Sequence, residues 1–122
     1  PCRFQLCRED LIIDASHNPN GAMALRESLD YYYPNIPRCF VFGCLKNKNY
    51  KQMMGILFSR GDEIFFYHFN NPNSCTVEEL QLACDLPSKK FNSLDGLPKN
   101  SMKIVCGSFY MLNEIIPESY IH

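Results

Sequence analysis

The sequence predicts an α/β fold, a Rossmann-like three-layer sandwich whose mixed, mostly parallel sheet has an antiparallel first strand and carries helices on both faces. Three observations predict it. Short apolar runs alternate with stretches of helical periodicity along most of the chain. Residues 11–13 (Leu-Ile-Ile) and 39–42 (Cys-Phe-Val-Phe) are unbroken apolar runs, as strands covered on both faces require. A length of 122 residues suits one closed core, so residues 1–122 are expected to form a single domain.

Each element has its own signal. Residues 4–8 and 11–14, separated by Glu9-Asp10, read as a tight hairpin with its first strand at the sheet edge. Asn18 suits a helix N-cap and Pro19 the first helical position, where its missing N–H costs nothing. Ala22, Leu25, Leu29 and Tyr32 or Tyr33 recur at helical spacing until Pro34, and Tyr31 to Tyr33 read as a helix end packing on the sheet. Residues 39–45 give the next strand, with Gly43 allowing close backbone approach. Tyr50, Met53, Met54, Leu57 and Phe58 define a second helix that Gly61 is expected to stop. Residues 64–69 read as a strand with His68 in the core, and Thr76-Val77-Glu78-Glu79 has the spacing of a capping box that opens a third helix to about Cys84. Residues 85–100 are poorly specified, with a short strand expected at 90–94. Residues 102–106 form the last strand, followed from Gly107-Ser108 by a short helix that Pro117 ends.

Twelve basic and thirteen acidic residues leave a formal net charge of −1, without a block of like charges, which argues against nucleic acid or a membrane as partner. No apolar run approaches the roughly 18 residues of a spanning helix, and a cytoplasmic location is the expectation. The seven cysteines are odd in number and include no Cys-x-x-Cys pair, so they are read as free thiols, several of them small core hydrophobes.

In a parallel sheet the carboxyl ends of the strands gather on one edge, where ligands bind. Asp14, residues 43–48, residues 70–73 and Gly107-Ser108 are therefore expected to share a rim. Asp14 is placed to accept hydrogen bonds from the two hydroxyls of a ribose, or to stabilise its own turn. His17 lies at the following helix start. The sequence contains no Gly-x-x-x-x-Gly-Lys-Ser/Thr phosphate loop and no acidic cluster suited to magnesium, so no residue of this chain is expected to bind a metal.

Four segments in order carry a family resemblance. Asp14-Ala15-Ser16-His17-Asn18-Pro19 resembles the Asp-Gly-Ala-His-Asn-Pro signature that opens the C-terminal domain of folylpolyglutamate synthase and dihydrofolate synthase, relatives of the Mur ligases. Pro1-Cys2-Arg3-Phe4-Gln5 is similar to the family's Pro-Gly-Arg-Phe-Gln/Glu, with cysteine for glycine. Val41-Phe42-Gly43-Cys44-Leu45-Lys46-Asn47-Lys48-Asn49 is similar to Val-Phe-Gly-x-Leu-x-Asp-Lys-Asp, and Cys106-Gly107-Ser108-Phe109-Tyr110 to Thr-Gly-Ser-Leu/Phe-Tyr. The flanking aspartates are Asn47 and Asn49 here, and the arginine usual after Asn-Pro is Asn73.

The resemblance implies an ATP-dependent, ADP-forming ligase that joins L-glutamate to dihydropteroate or a folyl glutamate through an acyl phosphate. It implies Arg3 and Asp14 as nucleotide-binding, His17 as catalytic near the phosphates, and Lys48 and Ser108 as binding the acceptor glutamate. ATP would be bound together with magnesium held by a missing N-terminal ATPase region, since the chain opens inside a motif and is expected to be a piece of a larger protein. Two alternatives stand beside this reading: the C-terminal domain of a Mur-type amino-acid ligase, and a non-catalytic α/β binding module.

Overall fold

The computed structural model of the protein describes residues 2–120. Pro1, the first residue of the Pro-Cys-Arg-Phe-Gln segment, lies outside the described residues. The chain runs β1 (Gln5–Arg8), β2 (Leu11–Asp14), α1 (Pro19–Tyr32), β3 (Arg38–Phe42), α2 (Tyr50–Leu57), β4 (Glu63–Phe66), α3 (Val77–Ala83), β5 (Lys89–Lys90), β6 (Met102–Cys106) and α4 (Phe109–Ile115), with short 3-10 turns at Leu94–Gly96 and Glu118–Tyr120. The strands order as β1-β2-β6-β3-β4-β5 in one sheet. Among the described strands only β1 pairs antiparallel, with β2, and it stands at the edge as expected.

The period of two along each strand sorts the core into two layers. Ile12, Phe40, Phe42, Ile64, Phe66 and Ile104 face Leu25 and Leu29 of α1, Met53 and Leu57 of α2, and Leu80 of α3. Leu11, Ile13, Cys39, Val41 and Val105 face the other way, onto Phe91, Leu97, Met111, Leu112 and Ile116. Three helices thus cover one face, while α4 and the 91–97 segment cover the other. Asn18 caps α1 by accepting from the Gly21 N–H with Pro19 in the first turn, and Thr76 and Glu79 form the reciprocal capping box of α3.

Lys103, central in the sheet, is buried, and its ammonium donates to Asp10 Oδ2 at 3.0 Å and to the Lys99 and Ser101 carbonyls at 3.2 Å. Those bonds tie the β1–β2 turn to the loop before β6. The Lys103 hydrogen bond, helped by Arg8, holds the Asp10 carboxyl below the usual carboxylate range.

Several boundaries differ from the expectation. Strand β4 ends at Phe66, and His68 lies beyond it, exposed rather than in the core, with Nδ1 3.0 Å from the Cys75 carbonyl oxygen. The strand expected at 90–94 is only Lys89–Lys90, and β3 stops at Phe42 because residues 43–45 turn to meet the segment after β4. Helix α2 ends at Leu57, with Gly61 in the turn behind it at φ 97°. Of the tyrosines 31–33 only Tyr33 packs against the core; Tyr31 and Tyr32 are exposed and meet edge to face, with Phe4 lying against Tyr32 and Tyr33.

All seven cysteines are free, and five are buried. Burial pushes the Cys39 and Cys44 thiols up to about 12 from an ordinary value of 9.0. A raised folded-state value favours the folded chain below pH 9 and is lost as pH rises through 9 to 12. Thermal stability of the 122-residue chain is therefore expected to fall steeply across that alkaline window. Cys39→Ala, at a cost of about 1 kcal/mol near neutrality, should flatten the fall; an alkaline profile identical to wild type would contradict this account.

Candidate functional site

Register fixes the rim. Asp14 of β2 and Phe42 of β3 both align with Cys106 of β6, and Phe42 aligns with Phe66 of β4, so the four strands end together. Residues 15–18, 43–49, 67–73 and 107–108 all leave from this edge. Two glycines let it close. Gly107 sits at φ 111°, and a methyl group added to it would overlap the Gly43 carbonyl oxygen. At Gly43 an added Cβ would come within 2.8 Å of the Tyr67 carbonyl oxygen, so neither position accepts a side chain without displacing backbone.

Asp14 is the organising group. It is 3% exposed, and burial of a carboxylate demands donors. Oδ1 accepts from the Ser16 N–H at 2.8 Å and from the Ser16 hydroxyl, while Oδ2 accepts from the Phe4 N–H at 3.0 Å. Arg3 Nε lies 3.7 Å from Oδ1, with its side chain 60% exposed. The aspartate thus holds the turn before α1 and the segment before β1 together, and it turns the Arg3 guanidinium outward beside them.

That segment is strained. Cys2 and Phe4 occupy positive φ, 61° and 45°, at a cost of about 1–2 kcal/mol each for residues other than glycine. The position that the folate-ligase pattern fills with glycine is therefore a left-handed one. Here a cysteine takes it, and its thiol is buried in the core layer under α4. The Gln5 side chain accepts the Cys2 N–H at 2.8 Å and adds to the clamp. Nothing local in the sequence points to Gln5 or to the Phe4 N–H as part of this clamp. Ser16, two residues beyond Asp14, has the spacing of an Asx turn and was the readable signal.

The remaining candidates divide by exposure. His17 is exposed on the turn, with Nδ1 3.4 Å from the Ala15 carbonyl oxygen. Lys48 is half-buried in a turn closed by its own N–H donating to the Leu45 carbonyl at 3.1 Å. Ser108 is buried and caps α4, its Oγ accepting from the Tyr110 N–H at 3.2 Å. The structure places all five on one edge and pairs Arg3 with Asp14. Among the described residues no hydrogen bond or ion pair joins His17, Lys48 and Ser108 to one another. On the same edge, burial and the Glu114 carboxylate push the Tyr67 hydroxyl up to about 12. Among the described residues no group of three or more His, Cys, Asp and Glu side chains is arranged to hold a metal ion, and no helix is long and apolar enough to cross a membrane.

Residues 2–105 match the family model for the Mur ligase, glutamate ligase domain. The chain belongs to this family. This glutamate ligase domain is 26% identical over 126 residues to dihydrofolate synthase/folylpolyglutamate synthase of Bacillus subtilis, covering 94% of the domain and 29% of that protein. In fold it matches E. coli FolC in complex with ADP at a TM-score of 0.82 and 26% identity, covering 93% of the domain and 30% of that chain. The bifunctional folylpolyglutamate synthase/dihydrofolate synthase of Yersinia pestis, complexed with AMPPNP and Mn ion, gives 0.82 and 25% identity with the same coverage. The domain thus spans a little under a third of the length of these relatives.

Geometry separates the two members of the Arg3–Asp14 pair. Asp14→Ala strands buried donors and is expected to destabilise the domain by about 3 kcal/mol, seen as a lowered melting temperature. Arg3→Ala removes one exposed ion pair, about 0.5 kcal/mol or less. Equal losses in the two variants would show that Asp14 does not fasten the segment.

Proposed function

We propose that this chain is the C-terminal domain of an ATP-dependent, ADP-forming folate ligase of the cytoplasm, which joins L-glutamate to dihydropteroate or to a folylpolyglutamate. The observation that carries the reading is the convergence, on one sheet edge of a Mur-type glutamate ligase domain, of an outward arginine braced by a buried aspartate with a histidine, a lysine loop and a serine-capped helix. Relatives crystallised with ADP, AMPPNP or the compound DHPP supply the ligand class.

In this reading the γ-phosphoryl group of ATP passes to a folate-type carboxylate, giving ADP and an acyl phosphate. The glutamate amine then attacks the acyl carbon, forming the amide and releasing phosphate. Arg3 contacts the nucleotide, its exposed guanidinium suited to an adenine face or a phosphate. Asp14 stands behind it, its buried carboxylate taken up by the Ser16 N–H and hydroxyl and by the Phe4 N–H, and serves nucleotide binding by holding the Arg3 segment in place. His17, exposed at the start of α1, donates to phosphoryl oxygen. Lys48 and the hydroxyl proton of Ser108 receive the acceptor's carboxylates.

Magnesium would be held by the N-terminal ATPase region of the same protein; among the described residues of this domain no group of three or more His, Cys, Asp and Glu side chains is arranged to hold a metal ion. The domain then acts as a lid. Its contribution is positioning, and that is lost when the other half of the site is absent.

Two measurements test this. In the full-length protein Arg3→Ala should raise the KM for ATP about tenfold, close to 1.4 kcal/mol, with the melting temperature unchanged. The purified 122-residue chain should release no ADP with folate and glutamate present. ADP formation by that chain alone, or an unaltered ATP dependence in the arginine variant, would refute the division of labour.

A further inference from the structure

Glu114 lies in the last turn of α4, exposed and outside every motif singled out from the sequence. Its two oxygens nevertheless reach across to a different part of the chain. Oε1 accepts from the Tyr67 hydroxyl at 2.7 Å, and Oε2 accepts from the Asn70 N–H at 2.8 Å. One carboxylate therefore grips both ends of the turn that follows β4.

That turn is in turn bonded to the lysine loop. The Asn73 carbonyl accepts the Lys46 N–H at 2.7 Å, the Cys44 carbonyl accepts the Cys75 N–H at 2.8 Å, and Leu45 bridges Ser74 in antiparallel fashion. Phe69 is buried between, with its ring stacked on Tyr110 at 6.4 Å. Residues 43–49 are thus held from outside by residues 67–75, and residues 67–70 are held by Glu114. The helix that carries Glu114 at its end carries the Ser108 cap at its start.

We infer that Glu114 is a positioning residue that fixes the Lys48 loop relative to the Ser108 end of α4, and so sets the geometry in which the acceptor amino acid is received. The inference rests on the acceptor role proposed above for Lys48 and Ser108. Glu114 touches neither residue; it acts through the 67–75 turn. Exposed hydrogen bonds add little to global stability, so their loss frees a loop without unfolding the domain. A glutamine at 114 keeps the shape but offers one accepting oxygen where two donors need to be met.

The test uses the full-length protein with Glu114→Gln, Tyr67→Phe, Lys48→Ala and the Glu114→Gln/Lys48→Ala double variant. Expected for Glu114→Gln are an about tenfold rise in the KM for glutamate, a KM for ATP within about twofold of wild type, a melting temperature within about 2 °C, and faster amide exchange over residues 43–49. Tyr67→Phe, which removes one of the two bonds, should shift the glutamate KM in the same direction by less. In the Lys48→Ala background the Glu114 substitution should add little, since both act through one loop. Unchanged exchange at 43–49, or an unchanged glutamate KM alongside a Lys48→Ala variant that does lose glutamate affinity, would overturn the role of Glu114. A Lys48→Ala variant with normal glutamate KM would instead overturn the acceptor reading itself, and the exchange measurement would then judge the Glu114 clamp separately.

Discussion

A carboxylate buried at the end of a strand cannot be left without donors, and the site edge is built around meeting that demand at Asp14. The Ser16 N–H and hydroxyl come from the turn that leads into α1, and the Phe4 N–H comes from the segment that leads into β1. Two residues at positive φ persist there because the surrounding bonds fix them. The same aspartate that fixes the fold locally thereby determines where the Arg3 side chain emerges. A substitution at Asp14 therefore disturbs both the turn before α1 and the place of the Arg3 side chain, while one at Arg3 leaves these buried bonds intact.

The rim has a second organising contact on its far side, where Glu114 meets Tyr67 and Asn70. Between the two lie the glycines at 43 and 107, whose backbones approach too closely for any side chain. The edge is therefore held by a buried anion at one end, an exposed anion at the other, and a backbone contact in the middle. Lys48 and Ser108 fall between these supports, which gives a lysine loop without regular structure a defined place beside a capped helix.

Much of the fold was legible because its signals are local. Apolar runs, the Asn18-Pro19 helix start and the Thr76–Glu79 capping box each state their geometry within a few residues, and the strands ending at Asp14 and Cys106 were read to the residue. The rim followed from one topological rule. What was not legible depends on partners far apart in the chain. Nothing near Glu114 announces a bond to residues 44 and 47 positions away. His68 follows two phenylalanines and a tyrosine, a pattern that continues a strand, yet the chain leaves the sheet there to bond with the Gly43 loop. Lys103 sits in a core strand because three oxygens meet its ammonium, and a hydropathy pattern does not reveal them.

The position of β6 has a consequence for how the domain comes into being. It is the last strand in sequence but lies in the middle of the sheet, bonded to β2 on one side and to β3 on the other. Until residues 102–106 arrive, the β1–β2 hairpin and the β3–β4–β5 group have no shared edge, and two apolar strand faces stay open. Synthesis from the amino end therefore delivers the keystone late, and closing the sheet requires contacts of long sequence separation, which are slow to form. A ribosome stalled before this strand would hold two unjoined half-sheets with adhesive edges, the state in which a chaperone has most to protect.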